Sequence, residues 1–203
     1  MSKSKAKWLT MAVLATPLLV GCASSPDARL YILSADATGQ VANWGDNGPN
    51  VLISAVNVPE HIKRSEIVFR TSGNRVTLNE YDRWAESVDN NISEALSENL
   101  TTLLSSSSIY TDDSNFLTRP DITLRIDVNN FGLMENGQVE FQASWEIEDR
   151  RRGSSELRSQ QLSVTPRGDD IPSIVEAMSR ALEQFSETLS QQLIGLQADS
   201  FAN

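Results

Sequence analysis

The sequence predicts an α+β fold: a single two-layer domain in which two amphipathic helices pack on one face of a mixed or antiparallel sheet. Three observations carry that expectation. Residues 122–128 and 139–147 alternate apolar and polar side chains with period two, as strands covered on one face do. Residues 86–104 and 171–193 repeat apolar side chains every three or four positions, as helices with one buried stripe do. Turn-forming residues punctuate the chain between these stretches, and a hydrophobic content of 39% supplies a core.

Residues 30–33 (Leu-Tyr-Ile-Leu) form a first strand. Residues 35–50 are rich in Gly, Asn, Asp and Ala and read as a loop. Trp44 inside it either packs back on the domain or is an exposed contact residue. Residues 51–58 are apolar and β-branched, which suits a buried strand, and Pro59 stops it. Residues 67–70 and 75–78 flank Thr71-Ser72-Gly73-Asn74, a hairpin signal. The first helix buries Val88, Ile92, Leu96, Leu100 and Leu103 and ends in the serine run 105–108. Residues 109–120 read as a second loop. Two alternating strands follow, joined at Asn136-Gly137, a type I′ turn signal. Residues 149–153 make another turn and 157–165 a third strand of this meander. The last helix carries the stripe Ile171, Ile174, Val175, Met178, Leu182, Phe185, Leu189 and Leu193. Asp169 or Asp170 can cap it, and Pro172 is tolerated in its first turn.

The N-terminus is organised differently. Lys3, Lys5 and Lys7 precede a mostly apolar run, 8–20, whose 13 residues fall short of a membrane span, which needs roughly 20. Leu19-Val20-Gly21-Cys22 ends that run and reads as a lipobox, with the only cysteine of the chain. In bacterial lipoproteins of this type the cysteine is acylated and the peptide is cut before it. One myristoyl-length chain holds a protein only marginally, whereas several chains on one cysteine anchor it stably. Ala23 rather than Asp follows the cysteine, which favours the outer membrane over inner-membrane retention. The expected organisation is a signal peptide over 1–21, a lipidated tether over 22–29, one domain over 30–197 and a tail over 198–203.

Composition excludes several function classes. The formal net charge is −10, and loss of 1–21 would remove three lysines and no acid, leaving 14 basic against 27 acidic residues, or −13. So acidic a chain is repelled by phosphate-rich surfaces, which argues against a nucleic-acid partner and against electrostatic docking to anionic headgroups. With Cys22 acylated, no disulfide forms and stability rests on packing. His61 is the sole histidine, so no His-based metal cluster can form, and no thiol nucleophile remains. G-x-S-x-G, P-loop and G-x-G-x-x-G patterns do not occur. Catalytic residues, metal ligands and cofactors other than the Cys22 lipid are therefore not expected. The carboxylate pairs Asp112-Asp113 and Asp169-Asp170 fall in expected loops and read as solvated. Arg150-Arg151-Arg152, at a hairpin tip, is either a solvated turn or a contact for an acidic partner. Trp84, directly before a helix, is most often a core or staple residue in such a setting, and Arg83 can pair with a nearby carboxylate.

Three stretches together carry a resemblance: YILS at 31–34, VNVPEHIKRSEIVFR at 56–70, and YDRWAE at 81–86 leading into ALSENL at 95–100. Behind a lipobox, they resemble the ABC-type transport auxiliary lipoprotein family. Members often carry Tyr-Leu-Asp-Arg-Pro where this chain has HIKRS at 61–65, and Pro where it has Ser87. The resemblance implies a non-enzymatic subunit of an intermembrane lipid transport system. Its partners would be an MCE-domain (mammalian-cell-entry) protein bridging the periplasm and an inner-membrane permease. A homo-oligomeric ring is among the assemblies it implies. Arg64, Arg83 and Trp84 are then the candidate partner contacts. Two other readings compete: a lipoprotein supporting assembly of an outer-membrane barrel, and a periplasmic hydrolase, for which no catalytic residue is visible.

Overall fold

A computed structural model describes residues 27–39, 48–70, 74–105, 107–112 and 119–198. The lipobox, Cys22, Ala23, Trp44, the hairpin tip at 71–73 and Asp113 lie outside the described residues. Ten elements follow in order: β1 (Arg29–Tyr31), β2 (Asn50–Asn57), β3 (Glu66–Arg70), β4 (Val76–Trp84), α1 (Val88–Leu103), β5 (Ser108–Thr111), β6 (Ile122–Leu133), β7 (Val139–Asp149), β8 (Ser154–Val164) and α2 (Ile171–Ala198). The α+β class is as expected, but the strands form two sheets. A five-stranded sheet runs β5-β2-β6-β7-β8 and a three-stranded sheet runs β1-β4-β3. Both are mixed: β2 lies parallel to β5 and β6, and β1 parallel to β4, while β6-β7-β8 and β3-β4 are antiparallel.

The helices cover one face of the larger sheet, α1 over β2 and β5 and α2 over β6, β7 and β8. Each expected stripe faces inward. Ile92, Leu96 and Leu100 of α1 and Leu182, Phe185, Leu189 and Leu193 of α2 are fully buried. Phe185 meets Phe141 at 4.9 Å and Trp145 at 5.0 Å between ring centroids, and the Trp145 indole N–H donates to Gln192 Oε1 at 2.9 Å. Each such side chain contributes about 1.5–3 kcal/mol of burial free energy. The uncovered face is polar, with Arg125 bridging Glu146 and Glu148 across β6 and β7. Asp170 caps α2, its Oδ1 accepting from the Ser173 N–H at 2.9 Å.

Three local expectations need correction. The expected loop at 109–120 begins as strand β5, whose Tyr110 is buried. Four residues are too few to show a period. The hairpin's second strand continues to Trp84, because a bulge between Ile67 and Glu66 lets β4 resume pairing at Arg83. The Asn136-Gly137 turn is not type I′, which requires positive φ at both central residues. Gly137 has φ 78°, but Asn136 stays at negative φ. Instead the Gly137 N–H reaches the Met134 carbonyl at 2.9 Å and the Met134 N–H reaches Gln138 at 2.8 Å. That is a type I turn closed by a glycine in the left-handed region.

Residues 32–39 form no element yet are fixed to the helices. Asn91 Oδ1 accepts the Leu33 N–H at 3.2 Å, Asn99 Oδ1 accepts the Ala37 N–H at 3.0 Å and Ser179 Oγ accepts the Ser34 N–H at 3.0 Å. Eight helical residues rise about 12 Å and four extended residues span about 13 Å. The strap therefore runs along α1 in step with its two asparagines.

Candidate partner-binding site

The stretches 56–70 and 81–86 converge where β3, β4 and α1 meet. Pro59 ends the β2 segment, and its carbonyl accepts from Ile62 and Lys63 at 2.9 and 3.0 Å, forming the turn that presents Lys63 and Arg64. The Trp84 N–H donates to Ser65 at 2.7 Å and the Ala85 N–H to Tyr31 at 2.9 Å, tying the end of β4 to both neighbours. Ser87, extended at φ −64° and ψ 143°, then starts α1 without a side-chain capping bond. Between these segments lies a cleft of about 420 Å³ lined by Lys63, Arg64, Ser65, Trp84, Ala85, Glu86 and Ser87.

The candidate contacts divide by exposure. Arg64 and Arg83 are exposed, whereas Trp84 is 5% exposed and belongs to the core. Trp84 therefore shapes the cleft from beneath and leaves contact at this end to the charged rim. Arg83 Nε donates to the Glu80 carbonyl at 3.1 Å and lies opposite Glu66 in the β3–β4 register. Backbone and Ser65 hydrogen bonds hold the Glu66 carboxyl below its ordinary range, with added help from the charges of Arg83 and Arg64.

Lys63 closes one side of the cleft through Asp89, at 2.9 Å. Burial would raise the Asp89 pKa, but the hydrogen bonds from Lys63 and Ser87 bring it below the ordinary value. Asp89 also lies in the first turn of α1, where a negative charge complements the helix dipole. Glu86 is the opposite case: burial, then the charge of Glu94, pushes its pKa up. The cleft thus offers one exposed guanidinium group, Arg64, one paired lysine and one carboxyl that ionises reluctantly, with Arg83 exposed on the adjoining end of β4. This is a surface for recognition by charge and shape.

The remaining sequence candidates are structural or solvated. His61 is exposed in the turn after Pro59. Asp112 is exposed and Asp170 is the α2 cap. Arg150, Arg151 and Arg152 mostly serve their own hairpin. Arg150 donates to the Pro120 carbonyl at 2.8 Å, and Arg151 binds both oxygens of Asp149 at 3.2 and 3.0 Å. Arg152 lies 4.0 Å from the same carboxylate. Among the described residues no group of three or more His, Cys, Asp or Glu side chains is placed to hold a metal ion, and no helix is long and apolar enough to cross a membrane.

The residue missed by sequence reasoning is Asp82. It is 0% exposed and accepts from Arg29 and from the Tyr31 hydroxyl, the latter at 2.9 Å. The Arg29 hydrogen bond holds its pKa down against burial, while burial and Asp82 push the Tyr31 phenol up. The only available signal was a carboxylate between two exposed residues, Tyr81 and Arg83, and alternation alone would place it inward.

Comparison with known proteins agrees with the motif resemblance. A family model described as "ABC-type transport auxiliary lipoprotein component" matches residues 31–190. The intermembrane transport lipoprotein PqiC of Escherichia coli is 22% identical over 188 residues, covering 92% of this chain and 97% of that protein. PqiC of Shigella flexneri matches to the same extent. Among solved structures, protein XCC0632 from Xanthomonas campestris superposes with a TM-score of 0.72 at 17% identity, covering 85% of this chain and 99% of that one. An uncharacterised protein gives 0.64 at 18% identity, covering 76% and 99%. Both likenesses concern the fold.

Proposed function

The chain belongs to the ABC-type transport auxiliary lipoprotein family, and from that membership we propose that it is the outer-membrane-anchored accessory subunit of an intermembrane lipid transporter. In this reading Cys22 carries the acyl chains, palmitate among them, and Ala23 lets the protein pass to the outer membrane. The folded domain faces the periplasm and docks an MCE-domain protein, which joins it to an inner-membrane permease. The role is non-enzymatic: the domain places and holds a partner, alone or as a homo-oligomer.

The observation that carries the reading is the extent of the family match, which runs from β1 to within α2. The near full-length similarity to a lipoprotein named for intermembrane transport supports it. The cleft at the β3–β4–α1 junction supports it too, since Arg64 is exposed at its rim and Arg83 is exposed beside it at the end of β4.

Cross-linking in intact cells, followed by purification from detergent-solubilised membranes, tests the proposal. An MCE-domain protein should be recovered. Recovery of an outer-membrane barrel as the sole partner would favour the assembly role instead. Cys22→Ser should leave the domain folded and release it from the membrane fraction; retention there would show that Cys22 is not the anchor.

A further inference from the structure

We propose that the outward face of the small sheet at Leu30 and Tyr81, continued by Ile32 just beyond β1, rests on the lipid bilayer and fixes how the domain stands on the membrane. This rests on the acylation of Cys22 proposed above and adds to it a defined contact face.

Leu30 is 64% exposed, Ile32 63% and Tyr81 42%. Exposed single apolar residues are ordinary, but these three share one side. Along the N-terminal segment Leu30 and Ile32 point out while Tyr31 is half-buried and Leu33 buried. On β4, Asp82 points inward, so Tyr81 and Arg83 point outward. The parallel register sets Leu30 beside Arg83 and Tyr31 beside Trp84. The result is a short strip of two aliphatic side chains and a tyrosine, flanked by Arg83. Aliphatic bodies with a phenol and a guanidinium group at their margin form an interfacial composition. The apolar parts leave water while the polar tips stay at headgroup level.

Covalent geometry names the occupant. Leu30 follows Cys22 by eight residues, and a fully extended chain spans at most about 3.6 Å per residue. Leu30, and with it the N-terminal edge of the strip, therefore lies within about 29 Å of the acylated residue. A protein surface that must stay this near a bilayer, and that exposes its apolar side chains there, has lipid as its nearest apolar phase. The strip is also held rigidly. Arg29 and Tyr31 are locked to Asp82, and the strap behind Ile32 is hydrogen-bonded to Asn91, Ser179 and Asn99. Contact through this strip would fix the domain's tilt rather than merely tether it. The chain's acidity leaves apolar contact as the means, since the net charge of −13 that remains without residues 1–21 opposes anionic headgroups.

The experiment uses the full-length lipidated protein in phosphatidylethanolamine vesicles containing a nitroxide-headgroup phospholipid. Leu30→Cys, Tyr81→Cys and, as an exposed control on β8, Leu157→Cys are each labelled with bimane, acylated Cys22 being unreactive. Emission at positions 30 and 81 should be quenched about twofold relative to 157, as for apolar faces seated roughly 5–10 Å into the headgroup boundary. Equal quenching at all three positions, with the protein floating with the vesicles, overturns the proposal. A blue-shifted but unquenched label at 30 or 81 also overturns it, by showing a protein occupant. Failure to float, with an unacylated Cys22 peptide by mass spectrometry, overturns the anchor and this inference together.

Discussion

The carboxylate of Asp82, fully buried on β4, accepts two hydrogen bonds from the Arg29 guanidinium on β1, at 2.7 Å from Nε and 2.8 Å from Nη2. With the Tyr31 hydroxyl as a third donor, this carboxylate adds a side-chain clamp to the backbone pairing that attaches a three-residue edge strand to the domain. Such a strand has too little ladder to hold itself. Asp82→Ala strands a phenol and a guanidinium beside an empty site. It should cost about 1–3 kcal/mol in urea unfolding and accelerate amide exchange at residues 29–31. Asp112→Asn, at an exposed site, should stay within about 0.5 kcal/mol of the parent.

The same carboxylate predicts the pH profile. Arg29 holds the pKa of Asp82 down, and at Asp149 the hydrogen bond and charge of Arg151 outweigh burial to the same effect. A carboxyl whose folded pKa is depressed adds stability above its unfolded value, about 3.9, and loses it as pH falls through the folded value. These two groups should leave stability flat from pH 7 to 5 and lower it below about pH 4. Asp149→Asn should flatten the acid limb of the urea midpoint. Glu86 runs the other way, because its raised pKa penalises the ionised form. Glu86→Gln should raise the midpoint at pH 7 and leave it unchanged near pH 4.

Asn91 and Asn99 make a separate prediction. They lie on the apolar face of α1, each 3% exposed or less, with Oδ1 used by the strap and Nδ2 unpartnered. Asn91→Ala and Asn99→Ala should each cost about 1–3 kcal/mol by orphaning the Leu33 or Ala37 N–H. Hydrogen exchange read by mass spectrometry should rise over residues 32–39 and stay unchanged over β6 and β7. Exchange rising across the whole chain would mean the asparagines support the core rather than the strap.

What was legible in the sequence follows from which side chains are half-buried. Ile122 to Val128 and Val139 to Ile147 alternate because one face meets α2 and the other meets water, so period two survives in both strands. The stripes of α1 and α2 are legible for the same reason. The division into two sheets was not, because it depends on contacts far apart in sequence. At Gly132, φ 151°, a Cβ would lie 3.0 Å from the Val68 carbonyl, and there β3 abuts β6. The bulge that carries β4 on to Trp84 breaks the period at that point. The cleft was half-legible: the motifs were visible and a core role for Trp84 was the commoner expectation, but only the fold decides it, with Trp84 beneath the surface and Arg64 exposed at the rim.

That division of roles gives the last prediction. Arg64 and Arg83 are exposed, so Arg64→Glu with Arg83→Glu should leave the thermal midpoint near that of the parent protein. If the rim meets an acidic surface on the bridging partner, reversal should cut capture of that partner about tenfold at low salt, with the difference shrinking as salt rises. Trp84→Ala should instead cost about 3–5 kcal/mol through the cavity it leaves, and reduce capture only in proportion to the unfolded fraction. Cross-linked yield measured beside a melting curve for each variant separates the two effects. Undiminished capture by the folded double-glutamate variant would remove this end of the domain from the interface and move the search to the polar face of the large sheet, where Arg125, Glu146 and Glu148 are exposed to solvent.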